Sequence, residues 1–412
     1  MEFRSHTLPN GLEIVAECNG EAHSTALGFF VKTGSRDEND ATAGVSHFLE
    51  HMTFKGTPTR SADDVNREFD EMGAHYNAFT NEENTVYYAA VLPEFQDHAV
   101  ELLADILRPS LRDDDFDMEK QVIIEEIHMY DDQPPFGADE KCRAAYFGSH
   151  PLGRSVLGTV QSITELSVEA MRDYFARRYS PGNVALAASG RVDFDGLVAA
   201  ARRYCGRWQP CADSRRIEPA APQAVFQAIH KEIATQEYAL ELAEGPAAGD
   251  DDRYAAKLLA TVLGDDSGSR LYWELVDPGW AEQVSLNHCE YEGAGLMMTY
   301  VSCDPEQIAE NLQRILDVYR RAEAEGITAA ELKTAKSKIR SRIVLSSERP
   351  RGRLFTVGAD WIYRREYRSV EEDLEKVADV TLDDVTAVLS KYPLRRSTTL
   401  AIGPLADVCP PR

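Results

Sequence analysis

The run His47-Phe48-Leu49-Glu50-His51 carries the sharpest chemical signal in the chain. On a helix, residues four apart share one face, with about 5–6 Å between Cβ atoms. That spacing lets both imidazoles reach one metal ion. Glu50 follows His47 by three residues on the same side, where it can act on a water without ligating the metal. The order H-x-x-E-H is a zinc-peptidase pattern. The competing reading is a core helix with two ordinary histidines. Val45, Phe48, Leu49 and Met52 form an apolar stripe that supports a helix, but the stripe leaves both histidines on another face.

A catalytic zinc takes three protein ligands and keeps one position open, so His47 and His51 need a third. A long acidic helix expected from about Asp114 to Tyr130 offers Glu119, Glu125, Glu126 and His128. Glu119 and Glu126 are two turns apart and share a face. Val122 and Ile123 on or beside that face suggest that it points inward. A carboxylate buried there needs a partner, because an unpaired charge is expensive. Glu126 ranks as the ligand and Glu119 as its support. Glu125 points about 100° away, towards solvent.

The elements that would position these groups alternate between strands and helices. Asn10-Gly11 is a turn dipeptide between strand-like runs Phe3–Leu8 and Leu12–Ala16. Further strands are expected at Thr25–Thr33, Ala74–Phe79 and Asn84–Val91, and helices at Thr42–Phe54, Ser61–Met72 and Glu94–Leu107. Hairpins mixed with helices favour an α+β sandwich over a doubly wound parallel sheet. The stretch from Trp208 to Pro222 has three prolines and few apolar residues and reads as a linker. The expected organisation is a domain at 1–208, a linker at 209–222 and a second domain at 223–412. An internal repeat supports it. Leu92-Pro93-Glu94 and Asp304-Pro305-Glu306 each follow a strand and open a helix, at an offset of 212 residues. At that offset Glu126 falls on Lys338, and His47 and His51 fall on Leu259 and Leu263. The second copy therefore lacks the metal-binding set.

Of the 412 residues, 43% are hydrophobic and 27% charged, and the formal charge is −25. So acidic a chain argues against nucleic acid and against an anionic membrane as partners. No apolar run reaches the length of a membrane-spanning helix. Met1–His6 lacks the basic and apolar regions of a signal peptide, so the bacterial cytoplasm is the expected compartment. The seven cysteines are scattered and contain no C-x-x-C pair, a pattern of free thiols.

These residues resemble the M16 metallopeptidases, the family of pitrilysin, insulin-degrading enzyme and the mitochondrial processing peptidase. The similarity covers Leu8–Leu12, Gly44–Thr57, Gly73–Thr80 and Glu119–Glu126, and it is closest to the short bacterial and processing-peptidase branch. The resemblance implies two homologous α/β sandwich domains with mixed, largely antiparallel sheets. It implies one Zn2+ per chain held by His47, His51 and Glu126, with Glu50 as general base and Glu119 as supporting acid. It also implies that Asn77, Ala78 and Phe79 lie on an edge strand that pairs with an extended peptide substrate inside a chamber. One departure stands out. Active members of this branch carry an Arg and, seven residues later, a Tyr after a Ser-Arg-Leu run. Here Ser269-Arg270-Leu271 is present, but Val276 and Gln283 occupy those positions. The expectation is a zinc-bearing subunit whose M16-like partner supplies the Arg and Tyr. That partner is either a different chain, the favoured case, or a second copy. The alternative is a non-catalytic assembly subunit.

Overall fold

The structure is a computed structural model that describes residues 1–211 and 214–411. Its strands are β1 (Glu2–Thr7), β2 (Glu13–Cys18), β3 (Thr25–Val31), β4 (His75–Thr80), β5 (Thr85–Val91), β6 (Val184–Gly190), β7 (Phe226–His230), β8 (Glu237–Glu244), β9 (Gln283–Tyr291), β10 (Ala294–Cys303) and β11 (Ser397–Gly403). The helices that matter here are α1 (Val45–Thr53), α2 (Gln96–Ile106), α3 (Asp113–Asp132), α4 (Ala138–Phe147), α5 (Arg253–Gly264), α6 (Ile308–Glu325), α7 (Ala329–Ser347) and α8 (Pro350–Arg364).

Two compact units divide the chain. In unit 1 the strand order is β1-β2-β6-β3-β5-β4. β2 and β6 run parallel, and the other neighbours are antiparallel. β3 and β6 are buried along their whole length, as strands covered on both faces must be. On one face Tyr87 looks towards α1. On the other, Phe30, Val86 and Ala185 pack with Leu354 and Val357 of α8. Gly358 lets that helix approach closely, because a Cβ there would sit 2.2 Å from the Phe30 ring.

Unit 2 repeats this plan. Its strand order is β7-β11-β8-β10-β9, with β7 and β11 parallel and the rest antiparallel. Strand for strand this matches β2-β6-β3-β5-β4. The Pro93 and Pro305 turns both open helices, α2 and α6, as the repeat requires.

The units are discontinuous in sequence. Unit 1 takes Met1–Ile127, Arg154–Arg216 and Val344–Val370, and unit 2 takes the rest. The chain leaves unit 1 at Arg216, inside the proline-bearing stretch; Ala212 and Asp213 of that stretch lie outside the described residues. The segment carrying α4 from the first half belongs to unit 2, where Cys142 and Tyr146 pack with Leu240 and Leu400. The segment carrying α8 belongs to unit 1. The first residues of these exchanged helices, Ala138 and Pro350, are related by the same offset of 212. Among the described residues, no helix is long and apolar enough to cross a membrane.

Candidate metal centre and peptide-binding edge

Helix α1 begins abruptly. Gly44 at its N-cap has φ +89°, and a Cβ there would meet Leu157 O at 2.6 Å. The Glu38 carboxylate accepts from Gly44 N at 2.7 Å and Ser46 N at 2.8 Å, filling the orphan donors of the first turn. Burial pushes Glu38 up to about 8, against the pull of those two bonds. Val45, Phe48, Leu49 and Met52 are buried, which fixes the rotation of the helix about its axis. His47 and His51 then share a face, with ring centroids 4.6 Å apart.

Helix α3 supplies the third group. Glu126 Oε2 lies 3.8 Å from His47 Nε2 and 3.7 Å from His51 Nε2. One ligand atom from each of the three lies within 4.8 Å of the others. A tetrahedral zinc with bonds near 2.0–2.2 Å holds its ligand atoms about 3.4 Å apart, and the Glu126 oxygen lies within a few tenths of an ångström of that spacing from each imidazole. The hydrogen bonding fits as well. His51 Nδ1 meets Glu119 Oε1 at 2.8 Å, which assigns the proton to Nδ1 and leaves the Nε2 lone pair facing Glu126. Among the described residues no group hydrogen-bonds the buried Nδ1 of His47.

The electrostatics separate the two histidines. Burial, with the charge of His51 adding to it, takes His47 down to about 3, so its imidazole stays neutral. Burial also opposes the charge on His51, but the Glu119 bond and the nearby carboxylates outweigh it and raise its pKa. Burial raises Glu126. Glu119 is 3% exposed; burial would raise it, yet His51 and Lys55, whose Nζ lies 2.5 Å from Oε2, hold it below the usual range.

Glu50 projects beside this cluster. Burial raises its pKa, partly offset by Thr80, whose hydroxyl donates to Oε2 at 2.6 Å. A carboxylate pushed upward and held in one orientation is suited to taking and returning a proton. No local sequence pattern marks Lys55 for its contact with Glu119, and that of Thr80 is signalled only by strand alternation. The alternation of β4 would have put Ala78 and Thr80 on the α1 side. One expectation fails: Val122 is 46% exposed, while Ile123 is buried. The inward face of α3 is carried by Phe116, Glu119, Ile123 and Ile127 at helical spacing, and Val122 falls on its flank. Glu125 and His128 are exposed.

Among the described residues β4 pairs only with β5 and forms the edge of its sheet. Asn77 is exposed and Ala78 is 8% exposed; Asn77 Oδ1 accepts from Ala78 N at 2.9 Å. Phe30, Val86 and Phe79 lie in one cross-strand row, and Phe79 at its end is 38% exposed. With Phe355 and Ile362 of α8 they line a cavity of about 310 Å3.

In unit 2 the equivalent place is closed. Leu259 and Leu263 are fully buried, and Lys338 pairs with Asp265 at 2.7 Å. Val276 is half-buried against the unit's core, and Gln283 opens β9.

Comparison with known proteins gives a consistent result. Residues 13–160 match the model for Insulinase (Peptidase family M16), and residues 165–339 match the Peptidase M16 inactive domain. A zinc protease of Mycobacterium bovis is 36% identical over 411 residues, covering 97% of this chain and 93% of its own. One of Bacillus subtilis is 30% identical over 389 residues, covering 94% of each. Among solved structures, a protease from Helicobacter pylori superposes with a TM-score of 0.90 at 22% identity, covering 98% of this chain and 99% of the other. A peptidase M16 inactive domain protein from Pseudomonas fluorescens superposes at 0.91 with 20% identity over both whole chains. These two likenesses bear on the fold.

Proposed function

This chain belongs to peptidase family M16 and is a metallopeptidase, and on that footing we propose that it is a zinc-dependent endopeptidase acting on extended peptides. The observation that carries the proposal is the convergence of His47, His51 and Glu126 beside Glu50. The three would hold one zinc. When bound, zinc supplies Lewis-acid polarisation of a carbonyl and makes water more acidic.

The chain's own residues do the rest. Glu50 takes a proton from water and returns one to the leaving amine. Thr80 holds the Glu50 carboxylate in line for both transfers. Glu119 orients His51 through Nδ1, and Lys55 keeps Glu119 charged. β4 offers its free edge to the substrate main chain, and alternate side chains give selectivity. Asn77 and Ala78 lie along that edge, and the Phe79 cavity accepts a large apolar side chain.

Val276 and Gln283 can supply neither a guanidinium nor a phenol to stabilise an oxyanion. A second M16-like chain, preferably a different one, is proposed to bring both. These two positions also favour the rival reading of an assembly subunit. The intact metal set of unit 1 weighs against it, since assembly alone needs no such set. Peptide hydrolysis by the zinc-loaded chain, alone and with its co-purifying partner, tests the proposal. Cleavage that disappears in Glu50→Gln supports it. Equal cleavage by that variant, or none by the zinc-loaded wild type under either condition, contradicts it.

A further inference from the structure

Arg351 sits in the first turn of α8, exposed, with Nη1 3.3 Å from His75 Nε2 and 3.4 Å from His75 Nδ1. Among the described residues no carboxylate pairs with it. Its neighbour Arg353 is bound to the buried Glu17, so it already has a structural task. Helix stability does not account for Arg351 either, because a cation in the first turn opposes the helix dipole.

His75 opens the edge strand β4. Side chains alternate along a strand, so His75, Asn77 and Phe79 share the α8 face, and Tyr76, Ala78 and Thr80 share the face that meets Glu50. A peptide added to this edge obeys the same alternation. Its residue opposite His75 therefore projects to the side where Arg351 stands. Five strand positions separate His75 from Thr80, roughly 16 Å at 3.3 Å per residue.

We infer that Arg351, backed by His75, forms a subsite that selects an acidic side chain on the bound peptide, several residues from the bond that is cut. This rests on the proposed peptide-binding role of β4. A guanidinium presents a planar fork that matches a carboxylate in two-point contact. The chain carries a formal charge of −25, so a cation left without a carboxylate at the substrate edge is a local reversal of the overall field.

The test uses zinc-loaded chains carrying Glu50→Gln, so that bound peptide survives, with and without Arg351→Glu. A labelled peptide bearing Glu, Gln or Lys at each position in turn is titrated by fluorescence anisotropy. At one position the Arg351 chain should bind the Glu peptide about three-fold tighter than the Gln peptide, the effect of an exposed ion pair. Arg351→Glu should reverse the order at that position and favour Lys. Arg351 is exposed, and Glu suits the first helical turn, so the variant keeps its fold. Peptide binding with the same Glu-to-Gln ratio in both chains at every position overturns the inference alone. No peptide binding at any position overturns the role of β4 and the inference with it.

Discussion

Glu119 accepts a hydrogen bond from His51 Nδ1 at 2.8 Å and faces the Lys55 ammonium at 2.5 Å with its other oxygen. This pairing sets both the direction in which His51 offers its free nitrogen and the pH at which that nitrogen becomes available. His51 has a raised pKa, and an imidazolium cannot ligate a metal. Protons therefore compete with zinc from above the ordinary histidine value downward, and zinc affinity falls as pH drops through that region. In Glu119→Gln the support for the charged form is lost, so proton competition moves to lower pH. The same variant should bind zinc about 10–100-fold more weakly at alkaline pH, the usual cost of losing such support. Competition with a chromogenic chelator across pH measures both effects. Coincident curves for wild type and variant would count against this role.

The hydroxyl of Thr80 lowers the pKa of Glu50 from where burial alone would put it. Thr80→Val removes that bond, so Glu50 should move further up and the acidic limb of the kcat/KM profile should shift to higher pH. A fall in kcat of about 10-fold is expected, equivalent to one charge-assisted hydrogen bond of about 1.4 kcal/mol. Thr80→Ser should restore both. A limb that stays in place in Thr80→Val would mean that Thr80 serves only the strand.

Glu50→Gln keeps the shape of the side chain and removes its basicity. Hydrolysis should fall by about 10²–10⁴-fold while zinc content is unchanged. Activity and elemental analysis on the same preparation check this, and a variant that loses zinc would make Glu50 part of the metal's support.

Gly358 tests how α8 is seated. Alanine normally gains about 1 kcal/mol over glycine inside a helix. Here the added Cβ meets the Phe30 ring at 2.2 Å, in a core that cannot yield freely. Overpacking of this kind costs about 1–3 kcal/mol, so the clash should win and Gly358→Ala should lower Tm. A raised Tm would show that the sheet and helix can separate at little cost.

Local pattern made the arrangement of the site legible. The two histidines and Glu50 lie within one helical turn and a third, and the buried stripe Val45, Phe48, Leu49 and Met52 fixes their direction. Glu119 and Glu126 could be matched to them because seven residues make two turns. The repeat showed through at Pro93 and Pro305, since proline at a helix start leaves a mark independent of packing. What stayed hidden depends on contacts between distant segments. Thr80 reaches Glu50 across thirty positions, and Lys55 reaches Glu119 across a helix boundary. The exchange of α4 and α8 leaves no local trace either. Each is an ordinary amphipathic helix, and either sheet could have received it. Val122 shows the limit of local pattern: an apolar residue beside the buried row reads as inward-facing, yet the row runs through Ile123 and leaves Val122 exposed on its flank.

The most direct measurement is the zinc content of the purified chain by elemental analysis, for wild type, Glu50→Gln, and the pair His51→Ala with Glu126→Ala. The account predicts one zinc per chain in the first two and none in the third, with circular dichroism showing all three folded. A full zinc equivalent retained by the folded double variant would contradict it, because the metal would then lie somewhere other than between His47, His51 and Glu126.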